Sequence, residues 1–288
     1  MPVYVSTTYA SDMSSVIDAA KGLKTRSIDH IELGSIHKPE PDVAVGLMGL
    51  GCRFITHNYF PPGNERAVLN ISAQNETVRA RSLEFMKKAI DFAVKIHAPL
   101  YTIHPGFCCE EIAESKVGDN YDFHFNRFGY DIPDRTKRYF GNLITSVNIL
   151  GDYIKDKDIR IAVETQGSVS EDNFVFMDKP EDFEAFLAEM ESPKVGLNLN
   201  LGHVNLASRK HGFDKMNYPE GVMKRIYAVE VSHNNALLDE HLGLKEDGWY
   251  MEFLKKGSFK NLPVIFEGRD IGIEDTVKSY NMLKNILG

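Results

Sequence analysis

The chain has 288 residues, which is enough for a buried core without disulfides, and we expect a single domain over residues 1–288. Its 41 acidic and 33 basic side chains give a formal charge of −8, which disfavours broad attraction to nucleic acid phosphates without excluding a local basic groove. Cys52, Cys108 and Cys109 lack metal-finger spacing and an even disulfide pattern, and neither a leader nor a membrane-spanning segment is evident, so a cytoplasmic protein is expected.

Short apolar segments alternate with longer amphipathic ones along the chain, which is typical of a βα protein. Eight strands are predicted, at residues 3–6, 30–33, 53–56, 100–103, 159–163, 194–199, 226–231 and 262–266. The clearest helices are predicted at residues 76–96, 133–155, 180–190 and 273–287. Eight strands that alternate with helices predict an α/β fold, a (β/α)₈ TIM barrel. No Gly-x-Gly-x-x-Gly motif follows the first strand, which counts against an open dinucleotide-binding sheet.

Metal-competent side chains stand at the end of nearly every predicted strand from the third onward. They are His57, His104, Glu164, Asn200, His203, His233 and Glu267. In a barrel these strand ends share one face. Crowding imidazoles and carboxylates at one end of a barrel costs free energy unless they bind shared cations, so the pattern predicts a metal site.

The loop after the seventh predicted strand adds a second group of candidate ligands. Asp239 and His241 are separated by one residue, so in an extended segment both side chains would point the same way. Mixed imidazole and carboxylate ligands suit zinc, manganese or ferrous iron better than magnesium or calcium. We expect one to three such ions per chain.

Further features near the predicted mouth have both a binding and a structural interpretation. Arg269 could grip a phosphate or carboxylate of a substrate, or pair with a buried acid. Phe60 and Trp249 could form an apolar wall against a sugar, or simply pack under loops. Glu32, which ends the second strand, belongs either to the pocket or to an interior layer. Residues 110–131 form a long, aromatic-rich loop that is typical of a lid or a dimer contact.

From about residue 31 onward the motifs resemble those of the xylose isomerase-like barrels, which include endonuclease IV and many sugar isomerases and epimerases. In endonuclease IV nine strand-end residues hold three zinc ions, and eight have counterparts of the same type here. They are His57, His104, Glu164, His203, His233, Asp239, His241 and Glu267. The resemblance implies one ion at His57 and His104, a second bridged by Glu164 and held by His233 and Glu267, and a third at His203, Asp239 and His241.

Asn200 departs from this pattern, because the family has aspartate at that position. Asparagine keeps an oxygen ligand but loses a negative charge, which should weaken the second ion position or alter its metal preference. The sugar epimerases hold one metal with four residues, which correspond to Glu164, Asn200, His233 and Glu267. The loop between His233 and Asp239 is shorter than in the endonuclease, and its DNA-facing residues do not match.

The resemblance and the acidic charge together favour a divalent-metal-dependent isomerase or epimerase of a sugar or sugar phosphate. Glu164 and Glu267 would then move a proton on opposite faces of the substrate. The main alternative is an endonuclease IV-type zinc phosphodiesterase acting on abasic DNA, which the additional histidines favour. A multinuclear iron oxidase and a noncatalytic barrel are further alternatives. The expected partner is a small carbohydrate, with nucleic acid as the less favoured alternative and no membrane. Whether the chain forms a homo-oligomer is left open by the sequence.

Overall fold

Eight parallel strands close into a barrel, as the sequence predicts. The computed structural model describes residues 1–63, 68–109, 112–117, 120–125, 134–169, 174–257, 259 and 261–288. Its strands are β1 (Val3–Ser6), β2 (His30–Leu33), β3 (Arg53–His57), β4 (Leu100–Ile103), β5 (Ile112–Val117), β6 (Asn120–Phe125), β7 (Arg160–Glu164), β8 (Val195–Asn200), β9 (Ile226–Val231) and β10 (Val264–Phe266). The barrel order is β1-β10-β9-β8-β7-β4-β3-β2, and β5 pairs with β6 in a separate antiparallel sheet. Each predicted barrel strand is confirmed to within two residues.

Helices connect most of the strands. They are α1 (Val16–Lys24), α2 (Val43–Met48), α3 (Glu76–Lys95), α4 (Arg135–Tyr153), α5 (Pro180–Ala188), α6 (Leu201–His211), α7 (Glu220–Met223), α8 (Trp249–Lys256) and α9 (Gly272–Leu287). Local sequence sets several of their starts: the Asn75 side chain accepts from two backbone N–H groups of the first turn of α3, and Pro180 begins α5. No helix in the described ranges combines the length and hydropathy needed to cross a membrane.

The inside of the barrel is divided into an apolar layer near the strand starts and a polar layer near the strand ends. The apolar layer consists of Tyr4, Ile55, Leu100, Ala162, Ala228 and Ile265. Side chains alternate along a strand, so residues two positions later face the same interior. Those residues are Ser6, His57, Thr102, Glu164, Glu230 and Glu267, and all are buried. The polar layer therefore lies at the end of the barrel that carries the active site in TIM-barrel enzymes.

Phe60 belongs to the core between the barrel and its helices. Its ring is fully buried, and its centroid lies 5.5 Å from that of Phe92 on α3. This corrects the expectation that Phe60 contacts a substrate, because the chain turns outward after β3 and directs the ring against a helix.

The segment at residues 110–131 was a candidate lid or dimer contact. The structure gives it the two antiparallel strands β5 and β6, paired from Ile112 with Phe125 to Val117 with Asn120. Its side chains and its remaining residues lie outside the described residues, so the lid and dimer hypotheses stay predictions.

Candidate functional site

His57, His104 and Glu164 meet at the ends of β3, β4 and β7. Glu164 Oε2 lies 3.5 Å from His104 Nε2 and 3.8 Å from His57 Nδ1. One ligand atom from each residue lies within 4.8 Å of the other two, a spacing that fits one metal ion. His57 Nδ1 lies 2.8 Å from Thr102 Oγ1, and the Thr102 hydroxyl donates to the Thr56 carbonyl. Thr102 thus accepts from His57 and fixes the orientation of the imidazole.

His203, Asp239 and His241 form a second group of the same kind. Asp239 Oδ2 lies 3.3 Å from His203 Nε2 and 2.9 Å from His241 Nε2. His203 Nδ1 donates to the Thr165 carbonyl at 2.8 Å, which directs Nε2 towards Asp239. Asp239 and His241 therefore meet, although His241 has a φ of 49° and the segment is not extended as the sequence analysis assumed. Their ligand atoms also lie within 4.8 Å of one another.

The two groups are joined into a continuous arc of alternating carboxylates and imidazoles. His203 Nδ1 lies 3.0 Å from Glu164 Oε1, and His241 Nδ1 lies 2.9 Å from Glu267 Oε2. Asp239 stands between the two imidazoles. Glu164 and Glu267, the two predicted catalytic residues, are thus the ends of one polar chain across the mouth.

This arrangement separates the pKa values of the histidines. Burial and Arg269 lower the pKa of His241, but Asp239 and Glu267 outweigh them and raise it to about 9. Burial lowers the pKa of His104 to about 4, despite the opposing charge of Glu164. Burial also opposes ionisation of Glu164, yet His104 and the neighbouring imidazoles lower its pKa to about 2. The site therefore combines a positively charged imidazole with a neutral one.

Glu230 and Glu32 also lie in this site. The sequence left Glu32 open between the pocket and an interior layer, and Glu230 was not among the predicted residues. Glu230 accepts from Asn200 Nδ2 at 2.6 Å and from Asn198 Nδ2 at 2.8 Å. Burial, followed by neighbouring carboxylates, raises the pKa of both glutamates well above the ordinary value. A sequence signal for Glu230 existed: it stands two residues after Ala228 in an apolar strand and so faces the interior.

His233 lies apart from the other predicted ligands. Its Nδ1 lies 3.3 Å from the Tyr250 hydroxyl, and its backbone pairs with Leu242. It lies outside all three donor groups found in the described ranges. The physical reason is strand periodicity, because His233 is three residues after Glu230 and so has the opposite orientation. On β9 it is Glu230, two residues after Ala228, that faces the interior of the barrel.

Asn200 is held by hydrogen bonds on both sides of its amide. Its Oδ1 accepts from the backbone N–H of His203 at 3.1 Å and caps α6. Its Nδ2 donates to Glu164 Oε1 at 3.0 Å and to Glu230 Oε1 at 2.6 Å. A backbone N–H can only donate, so the oxygen must face it and the amide nitrogen must face the carboxylates. Asn200 is therefore a helix cap that bridges two acids, and ligation of a metal ion by its oxygen stays a prediction.

Arg269 and Trp249, the remaining predicted substrate contacts, differ in position. Arg269 Nη2 lies 3.6 Å from Glu267 Oε1, and its charge lowers the pKa of His57 and of His104. Arg269 therefore lies close enough to the buried histidines of the site to change their pKa values. Trp249 begins α8, and the Lys215 ammonium lies 4.6 Å from its ring centroid. A substrate contact by Trp249 stays a prediction.

Known proteins share this architecture. Residues 47–286 match the family model of the xylose isomerase-like TIM barrels. An uncharacterised protein of Methanocaldococcus jannaschii is 26% identical over 220 residues, which cover 76% of this chain and 74% of that protein. Among solved structures, a D-tagatose 3-epimerase-like protein has a TM-score of 0.77 at 20% identity, covering 100% of this chain and 97% of the other. A D-psicose 3-epimerase from Clostridium cellulolyticum H10, solved with D-tagatose, has a TM-score of 0.69 at 10% identity. The match covers 100% of this chain and 99% of that protein. The chain belongs to the xylose isomerase-like TIM barrel family.

Proposed function

We propose that the protein is a divalent-metal-dependent isomerase or epimerase of a sugar or a sugar phosphate. The observation that carries this proposal is a pair of buried carboxylates, Glu164 and Glu267, on different sides of one polar mouth, each beside an imidazole. Moving a proton at a carbon next to a carbonyl requires a base and an acid near that carbon. The similarity to epimerase structures supports the same chemistry.

The donor set fits a divalent metal ion. His104 Nδ1, Glu164 Oε2 and Asp239 Oδ1 are buried and have no hydrogen-bond partner among the described residues, a cost that a bound ion would relieve at the carboxylates. His57, His104 and Glu164 would hold one ion, and His203, Asp239 and His241 another. These mixed donors suit zinc, manganese or ferrous iron. A bound ion would polarise the substrate carbonyl and stabilise the charge that develops on its oxygen.

The two glutamates would divide the proton transfers between them. Glu164 has a pKa lowered to about 2 by the surrounding imidazoles, so it is ionised and can accept a proton from the substrate carbon. Glu267 directly follows β10, three strands further around the barrel. Burial opposes its ionisation, but His241 and Arg269 hold its pKa well below the ordinary value, so Glu267 would act as a second base at the opposite face of that carbon, and the proton returned there would come from solvent. Arg269, 3.6 Å from Glu267, would attract a hydroxyl or phosphate group of the substrate.

Thr102→Val should weaken metal binding by about 10- to 100-fold while leaving the barrel folded, because ligand imidazoles depend on such orienting partners. Valine has nearly the shape of threonine but removes the oxygen that lies 2.8 Å from His57 Nδ1. The Kd for zinc is measured by competition with a chromogenic chelator. Thr145→Val is a matched control, because its hydroxyl donates to Gly141 on the exposed side of α4. Equal Kd values for the two variants would show that Thr102 does not orient a ligand.

The proposed function is tested by hydrogen exchange between substrate carbon and solvent. Protein reconstituted with zinc, manganese or ferrous iron is incubated in D₂O with a panel of ketoses and their phosphates. We expect deuterium to enter an isomer or epimer of one panel member, and a chelator to abolish this exchange. A metal-loaded protein that exchanges no hydrogen and interconverts no sugar would reject the proposal.

A zinc phosphodiesterase that acts on abasic DNA is the second candidate. The observation that favours it is the presence of two ion-sized groups that share a network, since two ions can activate water and stabilise a leaving oxygen. The charge of −8 opposes broad attraction to DNA. Zinc-dependent cleavage of an abasic oligonucleotide, without sugar exchange, would favour the second candidate over the first.

A further inference from the structure

A third group of donors lies inside the barrel and has no part in the proposed proton transfers. Glu32 from β2, His57 from β3 and Glu230 from β9 are all buried, and one ligand atom from each lies within 4.8 Å of the other two. These three residues are called the interior triad. They combine two carboxylates with one imidazole around a single point.

Glu32 lacks the partners that a buried acid normally has. It is 0% exposed, and among the residues that the structure describes neither of its carboxylate oxygens makes a well-formed hydrogen bond. The hydroxyl of Ser6 lies near it, but the charges that act on it are those of two other acids, Glu267 and Glu164. A buried polar group in this state is destabilising unless something else satisfies it.

Glu230 and His57 complete a set that can receive a cation. Glu230 accepts from two neutral amides, Asn198 and Asn200, and also meets the acid Glu267 within hydrogen-bond reach, so no cationic side chain is among these partners. His57 donates through Nδ1 to Thr102, which leaves Nε2 as its metal-binding nitrogen. Two carboxylates and a neutral imidazole balance the charge of a divalent ion.

We propose that the interior triad is an additional divalent-cation site, which has two ligands of its own, Glu32 and Glu230, and shares His57 with the group formed with His104 and Glu164. Its mixed ligands suit zinc, manganese or ferrous iron rather than calcium or magnesium. An ion bound in the triad would take Nε2 of His57, and the ion at His104 and Glu164 would then have solvent in place of His57. This site stands or fails independently of the proposed isomerase reaction, because its test measures metal content alone.

The first experiment compares metal content in two matched variants. Wild-type protein, Glu32→Gln and Asp178→Asn are stripped with a chelator, refilled with zinc, desalted and analysed by plasma mass spectrometry. Asp178 is a suitable control because it is also a buried acid but pairs with His211 at 2.7 Å. We expect Glu32→Gln to hold one ion per chain fewer than wild type and Asp178→Asn to hold the wild-type number. Equal zinc content in the two variants would overturn the proposal.

A second experiment uses the unmodified protein, in case Glu32→Gln does not fold. Wild-type crystals soaked in zinc are measured at the zinc absorption edge. The proposal expects an anomalous peak about 2.0–2.2 Å from carboxylate oxygens of Glu32 and Glu230. Peaks confined to the groups at the mouth would overturn it.

Discussion

Glu164→Gln is expected to lower the rate of hydrogen exchange between substrate and solvent by about 100- to 10,000-fold, the usual contribution of a general base. Glutamine has the shape of glutamate and can still accept from Asn200 Nδ2, now 3.0 Å from the carboxylate. It cannot take up the substrate proton. It also removes the negative charge that lies 3.5 Å from His104 Nε2 and 3.0 Å from His203 Nδ1.

Two measurements separate the loss of a base from the loss of a ligand. The exchange rate is measured at saturating substrate over a series of zinc concentrations, and bound zinc is counted in the same samples. A ligand defect is corrected by added zinc, whereas a base defect persists when the metal site is full. Glu84→Gln, on the exposed surface of α3, is the matched control. Exchange within a few-fold of wild type at full zinc occupancy would contradict the role assigned to Glu164.

The sequence predicts the barrel well because its signals are local. Each strand is a short apolar segment, each helix has apolar residues at three-to-four spacing, and helix caps such as Asn75 mark where a helix begins. The strand ends then identify one face of the barrel. For this reason His57, His104, Glu164, Asp239 and His241 could be selected from the sequence before any contact was known.

The predicted and observed sites differ because of the direction in which side chains point, which residue type alone does not reveal. His233 was selected because it follows the seventh predicted strand and has a counterpart among the family ligands, whereas the alternation from Ala228 points Glu230 inward. In the other barrel strands the residues that face the interior also lie two positions apart, so the alternation along β9 was a usable signal for Glu230.

Other features depend on contacts between distant segments. Asn200 turns its oxygen to the N–H of His203 and its nitrogen to Glu164 and Glu230, which come from two other strands. Phe60 is buried because α3 supplies Phe92 to pack against it. Neither outcome follows from the residues next to Asn200 or Phe60 in the chain.

The metal-free protein is expected to lose stability as pH rises from about 6.5 to about 9. Asp239 and Glu267 raise the pKa of His241 from 6.5 to about 9, against the effects of burial and Arg269. This stabilisation is complete below pH 6.5 and disappears as pH rises through 9. A shift of this size corresponds to roughly 3 kcal/mol of unfolding free energy. Burial opposes a charge on His203, but Asp239 and Glu164 raise its pKa well above the ordinary value. The contribution of His203 to stability is therefore also lost as pH rises.

Stability should also fall on the acid side. Burial lowers the pKa of His104 to about 4, so the unfolded chain binds this proton more readily, and protonation favours unfolding as pH falls from 6.5 towards 4. Glu164, with a pKa lowered from 4.5 to about 2, contributes stability above pH 4.5 that is lost as pH falls through 2. Glu32 and Glu230 act in the opposite sense, because burial and neighbouring carboxylates raise their pKa values, and the stability that they contribute is lost as pH rises above about 4.5.

Denaturant unfolding of chelator-treated protein between pH 5 and pH 9.5 tests this profile, with His241→Gln as the comparison. The variant should lose the part of the alkaline slope that belongs to His241 and keep the acid slope, since His104 is unchanged. Metal saturation should reverse the alkaline slope in the wild type, because an ion displaces the imidazolium proton and binds more tightly as pH rises. If the metal-free and metal-saturated proteins have the same alkaline slope, His241 does not bind the ion, and the group formed with His203 and Asp239 is an ion-pair network.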